Sequence, residues 1–360
     1  MNRQTRHTLI FLASLVILMS GAFALANRQA NYLDIPFNFY SMKEDQRLSL
    51  MELDRKQKGS IKFGFLETSK PPLVGLFGNH QFQHFSRDAF GPDTPPGYFF
   101  NFWYANLGLP EIMHLLDHLA HIDKLPELVL VQITTPDNDN GRHIIDWGGE
   151  LPDRYVNPSL LWNRGPRAFT DWLLVDFLLG RINTDIDVNK LRSALSQLGG
   201  PRGKTALLQR LVSPSLCTEP SNNPYCSEPN GYRDDGSFSV QADHPPLVLN
   251  GDLEQRSPVL RPGDENEIAR LLESIDRLVE AAGSRAIFIV PPVYETQRGL
   301  MADKIFDKAL KMAQHITVVD DRGLRDDPNL FVIYDHPSPE YFRLLVQKLQ
   351  TQNLLPNESR

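Results

Sequence analysis

From Pro72 onwards the chain alternates between short apolar runs and longer stretches whose apolar residues recur every three or four positions. The short runs predict buried strands, and the longer stretches predict amphipathic helices. Apolar strands separated by helices are typical of a parallel sheet with both faces covered. The pattern therefore predicts an α/β fold, a three-layer sandwich with five parallel strands. The predicted strands lie at 73–77, 99–105, 128–133, 285–290 and 316–319, and the predicted helices at 110–122, 264–282, 300–314 and 339–352.

Two segments depart from this alternation. Residues 27–70 are polar and carry a run of charges, which predicts a stalk with a short helix ahead of one domain over 71–360. The segment 140–260, between the third and fourth strands, is too long to be a simple connection. It predicts a helical cap over the carboxyl edge of the sheet, where sheets of this kind bind their ligands.

The chain opens with an apolar segment, residues 8–26, which follows Arg3 and Arg6. Basic flanking residues stay in the cytoplasm, so the remainder of the chain is predicted to be exported. The segment is long enough to span a bilayer of about 30 Å, which predicts an anchor in a bacterial inner membrane and a periplasmic or extracytoplasmic domain. It also ends in Ala24-Leu25-Ala26, a pattern that signal peptidases cut, so residues 1–26 are either an anchor or a signal peptide.

Composition and charge narrow the range of partners. The hydrophobic fraction of 41% and the charged fraction of 22% are ordinary for a globular protein, and the net charge of -7 argues against nucleic acid as a partner. The two cysteines, Cys217 and Cys226, lie in a loop rich in Pro, Asn and Ser. Export predicts a local disulfide between them, with two free thiols as the alternative. Neither cysteine has a metal-ligand partner at suitable spacing, and no cofactor is expected.

Residues capable of chemistry cluster where the predicted strands end. The carboxyl ends of parallel strands meet at one edge of a sheet, and backbone N–H groups in the turns there can hold an oxyanion. The candidates are Asn79 and His80 after the first strand, Gly108 after the second, Asn138 and Asn140 after the third, and Asp335 and His336 before the last helix.

The order of these motifs resembles that of the SGNH (GDSL-type) hydrolases, and more closely that of exported members related to alginate-type polysaccharide O-acetyltransferases. The resemblance covers about 71–135 and 264–352, and includes a late His-x-Ser-Pro-Glu that opens the last helix. It implies a flavodoxin-like sheet with acyl-ester chemistry at its carboxyl edge and an acylated glycan as ligand. It further implies that Gly108 and Asn138 are oxyanion donors, with Asn140 as a rival to Asn138, and that His336 is the base.

Two positions depart from the family pattern. The nucleophilic serine is replaced by His80, and the position three before His336, where the family has an orienting Asp, is Ile333. Asp335 is adjacent to His336, but neighbouring side chains of an extended segment face opposite sides. Loss of such triad members costs orders of magnitude in rate.

Three roles for His80 therefore stay open. As a nucleophile it would form an acyl-imidazole with the help of His336. As a metal ligand it would act with His84, four residues further on, and with His336. Without catalysis, the pocket would bind a glycan or a partner protein. We expect an envelope protein that binds or handles acylated glycans in exopolysaccharide acylation. The alternatives are a scaffold docked on a membrane-bound acyltransferase and a metal-dependent hydrolase.

Two further patterns favour structural roles. His114, His118 and His121 fall on one helical face, which predicts a solvated or cap-contacting stripe. Residues 231–236 lack the alternating oxygen ligands and closing Glu of a calcium loop, so they predict a tight turn.

Overall fold

The structure is a computed structural model that describes residues 38–42, 46–49, 55–104, 107–133, 151, 155–157, 159–160, 215–218, 232–238, 263–292, 298–333 and 336–356. All of these residues fall within one unit, formed by 37–172 and 214–360. In chain order the strands and helices are β1 (Gln46–Ser49), α1 (Arg55–Thr68), β2 (Val74–Phe77), β3 (Phe99–Asn101), α2 (Leu109–His121), β4 (Leu128–Gln132), β5 (Ser215–Thr218), α3 (Asp264–Ala281), β6 (Arg285–Val290), α4 (Arg298–Met312), β7 (Val318–Asp320), β8 (Phe331–Ile333), β9 (His336–Pro337) and α5 (Pro339–Thr351).

The central sheet contains five strands in the order β3-β2-β4-β6-β7, and every neighbouring pair is parallel. Counted along the chain within this sheet, the order is 2-1-3-4-5, the doubly wound order of flavodoxin-like folds. Strand β4 lies at the centre and pairs with β2 on one side and β6 on the other. The predicted α/β fold with a five-stranded parallel sheet is thereby confirmed.

Successive side chains of the apolar strands point to opposite faces of this sheet, so both faces carry apolar side chains that must be buried. Helices cover both faces. Helix α5 packs on one face through Tyr341, Phe342 and Leu345, which share a buried cluster with Leu76 and Leu130. On the other face, α2 packs against α3, and α3 also contacts β6 and α4. These layers place all five carboxyl strand ends along one polar edge.

The segment before β2 contributes to the core, which corrects the prediction of a stalk over 27–70. Within its described part, Phe39 is fully buried, and α1 buries Phe63 and Phe65. The ring centroid of Phe100, on β3, lies 5.3 Å from that of Phe39 and 5.0 Å from that of Phe65. The charges interleaved with these apolar residues hid the core contribution from the sequence pattern.

Two small antiparallel pairs were not predicted from the sequence. Strand β1 pairs with β5, and β8 pairs with β9 immediately before α5, with Ile333 opposite His336. The Ser338 hydroxyl accepts a hydrogen bond from the Tyr341 N–H at 3.5 Å and donates one to the Asn329 carbonyl at 3.0 Å. These bonds fix the entry of the chain into α5, and therefore the backbone beside His336.

Some predictions concern residues outside the described ranges. The apolar segment 8–26 is one of them, and none of the described helices is long and apolar enough to cross a membrane. Most of the predicted helical cap over 140–260 also lies outside; its described parts include β5 and a turn at 232–238. Cys217 lies in β5, but Cys226 is not among the described residues, so the disulfide stays a prediction.

Candidate functional site

A short 3-10 turn at the end of β2 carries the first predicted histidine. Gly78 follows the strand, Asn79 caps the turn, and His80–Phe82 form it. The Asn79 side-chain oxygen accepts a hydrogen bond from the Gln81 N–H at 2.9 Å. Residues 79–85, which we call the histidine turn, thus leave the sheet at its carboxyl edge with His80 at the first turn position.

Gln132, the last residue of β4, holds the start of the histidine turn. Its side-chain oxygen accepts the Asn79 N–H at 2.9 Å, and its Nε2 donates to Asn79 Oδ1 at 3.1 Å and to Gln81 Oε1 at 2.7 Å. Gln132 is fully buried, and Asn79 and Gln81 are nearly so. We call these three side chains the carboxamide clamp. A Cβ on Gly78 would lie 2.3 Å from Gln132 Oε1, so the clamp requires a glycine at position 78.

Asn101, the last residue of β3, holds the other end of the histidine turn. Its Nδ2 donates to the carbonyl oxygens of Phe82 and Phe85, both at 2.8 Å. Its Oδ1 accepts the Trp103 N–H at 2.9 Å. Two fully buried amides on two strands therefore fix both ends of the turn that carries His80 and His84.

The structure brings His80 and His336 together. Their ring centroids are 5.0 Å apart, and the rings are tilted by 45°. The His84 ring centroid lies 6.2 Å from that of His336, and its Nδ1 is 3.2 Å from the Phe238 carbonyl oxygen. His336 is only 9% exposed, whereas His80 and His84 are partly accessible. An imidazole pair with one accessible and one buried member thus lies at the carboxyl edge.

The other predicted site residues are placed as follows. Gly108 is the N-cap residue of α2, with extended backbone geometry (φ -92°, ψ 175°), so its proposed oxyanion role stays a prediction. The Asn79 side-chain oxygen is used inside the carboxamide clamp, and a substrate-binding role for it also stays a prediction. Asn138, Asn140 and Asp335 lie outside the described residues.

The metal-binding alternative finds no support in the geometry. Within the described ranges, no group of three His, Cys, Asp or Glu side chains is arranged to hold a metal ion. His80, His84 and His336 are all described, and they do not form such a group.

A turn formed by residues 232–238, which we call the charged turn, borders the histidine turn on its other side. The Phe238 N–H donates to the Gln83 carbonyl at 2.7 Å, and the Asp235 carbonyl accepts the Asn101 N–H at 2.8 Å. The Gly236 N–H closes the turn onto the Arg233 carbonyl at 3.0 Å. The prediction of a tight turn here is confirmed.

Buried carboxylates stabilise the charged turn. One oxygen of Asp235 accepts the Ser237 N–H at 3.0 Å and its hydroxyl at 2.6 Å, and the other accepts the Arg87 N–H at 2.5 Å. The Arg87 guanidinium lies 2.6 Å from Asp234 Oδ2. Burial and the neighbouring Asp235 raise the pKa of Asp234 above its ordinary value, while Arg87 opposes that rise.

Lys62 of α1 reaches the same turn from inside the core. Its Nζ donates to the carbonyl oxygens of Trp103 at 2.9 Å and Gly236 at 2.8 Å. The Nζ also lies over the rings of Trp103 and Tyr232, at 4.6 Å and 5.1 Å from their centroids. Complete burial lowers the pKa of Lys62 well below its ordinary value, against the attraction of Asp235.

The histidine stripe of α2 contacts neighbouring segments of the chain. His114 is fully buried, and its Nδ1 accepts the Asn157 N–H at 2.9 Å. His118 Nε2 lies 3.1 Å from Glu67 Oε1 on α1. Asn157 lies in the predicted cap segment, so the cap-contacting interpretation fits His114.

Sequence reasoning missed the buried polar residues that form hydrogen bonds to the turns around the site. Gln132, Asn101 and Lys62 carry no motif, and their partners are distant along the chain. One signal was available: Gln132 is the single polar residue in the apolar run 128–133. A buried amide costs free energy unless its hydrogen bonds are satisfied, so such an isolated glutamine indicates a specific partner.

No protein-family model matches this chain, and no curated protein matches it.

Proposed function

We propose that this protein is a membrane-tethered envelope protein that binds and handles acylated glycans in exopolysaccharide acylation. The acyl ester lies against His80 at the carboxyl edge of the sheet, with His336 behind it. Residues 8–26 tether the chain to the membrane. The proposal takes its glycan context from the SGNH-like motif order.

The observation that carries this proposal is the approach of His80 to His336. The two residues are 256 positions apart in sequence, yet their ring centroids are 5.0 Å apart. Side chains at the carboxyl edge of a doubly wound sheet contact its ligands. Because His80 is partly accessible and His336 is largely buried, His80 is the member of the pair that reaches a ligand.

An imidazole pair suits an acyl ester in two ways. A ring N–H donates a hydrogen bond to the ester carbonyl oxygen, which binds the ester without cleaving it. Alternatively, one His80 nitrogen attacks the acyl carbon while His336 accepts the proton from the other nitrogen. The glycan oxygen then leaves with that proton. Water adds to the acyl-imidazole, releases the carboxylic acid and restores both rings.

Binding and turnover measurements on the full chain test this proposal. The probes are acetylated oligosaccharides of alginate, cellulose and xylan, each paired with its deacetylated form, and 4-nitrophenyl acetate. We expect at least one acetylated form to bind more tightly than its deacetylated partner. His80→Ala should weaken that binding about tenfold, the effect of one lost hydrogen bond of about 1.4 kcal/mol.

Matched variants separate the outcomes. His121→Ala, at the exposed end of α2, should leave binding unchanged. Acetate release that is lost in both His80→Ala and His336→Ala would identify the acyl-imidazole route. Binding without acetate release would identify a non-catalytic glycan-binding protein. Equal affinity for acetylated and deacetylated forms of every probe, with no acetate release, would contradict the proposal.

A further inference from the structure

We infer that Gln132 is a positioning residue for His80, and that it acts through the carboxamide clamp. The effect of this positioning on ligand binding rests on the proposed function, but the effect of Gln132 on the backbone around His80 does not. Gln132 does not belong to the imidazole pair. It holds the two residues that flank His80 in sequence, Asn79 and Gln81.

Gln132 is well suited to serve as a fixed reference point. It ends β4, the central strand of the sheet, which is hydrogen-bonded to β2 and β6 on either side. Its Cα lies in register with Ile289 of β6, and the preceding Val131 with Phe77 of β2. The paired strands restrain its backbone, and complete burial restrains its side chain, so groups bonded to that side chain are held close to the sheet.

The hydrogen-bonding pattern of the clamp uses every group of one carboxamide. The amide nitrogen of Gln132 has two hydrogens, and it donates to two oxygens, Asn79 Oδ1 and Gln81 Oε1. Its oxygen accepts the Asn79 N–H. Glutamate has no hydrogen to donate when ionised, and methionine has none at all. Glutamine therefore fits this position in a way that residues of similar length do not.

Packing alone does not explain a buried amide at this position. The rest of β4 is filled by Leu and Val, and an apolar residue would bury its surface without needing partners. A buried polar network stabilises a single geometry only when all its members are satisfied. Here that geometry sets the backbone on both sides of His80, and β9, which carries His336, contacts the same turn.

The accessibility of His80 to diethyl pyrocarbonate tests the inference, because this reagent modifies accessible imidazoles. Modification of His80 is compared with that of exposed His121 in the same full-length molecule, by peptide mass spectrometry. In Gln132→Glu the side chain has at most one hydrogen to donate where Gln132 donates two, so at least one hydrogen bond to Asn79 or Gln81 is lost and we expect the turn to loosen. The ratio of His80 to His121 modification should rise about 3- to 10-fold over the unsubstituted chain.

Two further variants keep the result interpretable. Gln81→Met removes only one clamp partner, and should raise the ratio about twofold even if Gln132→Glu does not fold. Val279→Ala, in α3, removes buried methyl groups elsewhere and should lower the melting temperature with the ratio unchanged. A ratio that stays constant in the folded clamp variants would overturn the inference. So would an equal rise at His80 and His121, because that reports general loosening.

The outcome also separates this inference from the proposed function. If the unsubstituted chain binds no acetylated oligosaccharide but the clamp variants change the ratio, the positioning role stands and the glycan proposal fails. If glycans bind and the clamp variants leave both the ratio and the affinity unchanged, the positioning role fails and the glycan proposal stands.

Discussion

Two different arrangements hold the loop that carries His80 and His84. On one side, the carboxamide clamp and Asn101 bind it with neutral amides from two strands. On the other side, the charged turn binds it, with buried carboxylates and the buried amine of Lys62 behind. Both arrangements are buried, and both connect segments that are distant in sequence.

The two arrangements differ in how their buried polar groups respond to pH. Neutral amides are directional and do not titrate, so the geometry they impose beside His80 stays the same across pH. Ionisable groups are also directional, but their burial makes folding stability depend on pH. We therefore expect the histidine turn to keep its geometry on the clamp side, while the charged turn makes the free energy of unfolding pH-dependent.

Gly236→Ala should produce the largest effect, because the charged turn is seated tightly against β3. Gly236 has φ +73°, and a Cβ there would lie 2.6 Å from both the Asn101 carbonyl oxygen and the Phe100 ring. Backbone strain and overpacking together should lower the free energy of unfolding by about 3 kcal/mol in urea titrations. Gly263→Ala, at φ +105° with open space around it, should lower the free energy of unfolding by only about 1 kcal/mol. Equal losses would show that packing of the charged turn contributes nothing.

Lys62→Met should have the next largest effect and should also change the pH dependence. It leaves the Trp103 and Gly236 carbonyls without the Nζ donor, which should cost about 2 kcal/mol at pH 7. Burial lowers the pKa of Lys62 in the folded state, so the unfolded chain binds more protons between that lowered pKa and about 10.4. Stability of the unsubstituted chain should therefore rise with pH in this window.

Urea titrations between pH 7 and pH 9 measure that slope. The free energy of unfolding of the unsubstituted chain should rise relative to Lys62→Met by up to about 1.4 kcal/mol per pH unit. Lys304→Met, on an exposed position of α4, should show the unsubstituted slope. If the free energy of unfolding of Lys62→Met changes with pH at the same slope as that of the unsubstituted chain, the amine stays charged in the folded state. The proposed difference in pH dependence between the carboxamide clamp and the charged turn then fails.

Asp320→Asn should have the smallest effect, because its ion pair is exposed. Burial acts to raise the pKa of Asp320, but hydrogen bonds from Arg322 overcome this and hold the pKa below its ordinary value. The carboxylate thus stabilises the fold above its unfolded pKa of about 3.9, and this contribution is lost as the pH falls through the folded pKa. With 38% of the side chain exposed, the loss at pH 7 should stay below about 1 kcal/mol. A loss matching that of Lys62→Met would show that burial does not decide which charges matter.

The sequence predicted the sheet well, because its signal is local. Runs such as 128–133 and 285–290 are apolar except for Gln132 and Arg285, and each became a strand within a residue of its predicted limits. The pairing of His80 with His336 at one sheet edge was also within reach, since parallel topology brings strand ends together. The role of these two histidines could not be predicted, because His80 stands where a serine is expected and Ile333 where an orienting Asp is expected.

The remaining features depend on partners that local patterns do not reveal. Helix α1 buries Phe63 and Phe65, which are two residues apart and flanked by Lys62 and Gly64, so no amphipathic stripe marks it. The sequence does not distinguish Lys62 from a solvent-exposed lysine, because its partners Trp103 and Gly236 are distant along the chain. Tertiary contacts, and not propensity, decide such positions.

The contact between Gly78 and Gln132 has a consequence for how this protein can change over evolutionary time. No residue larger than glycine fits at position 78 while the Gln132 side chain lies against it. A shorter residue at position 132 would leave room for a larger one at 78, but it would lose the hydrogen bond to the histidine turn. The two positions should therefore drift together or not at all. We expect any related chain that carries a side chain at position 78 to lack the glutamine at position 132.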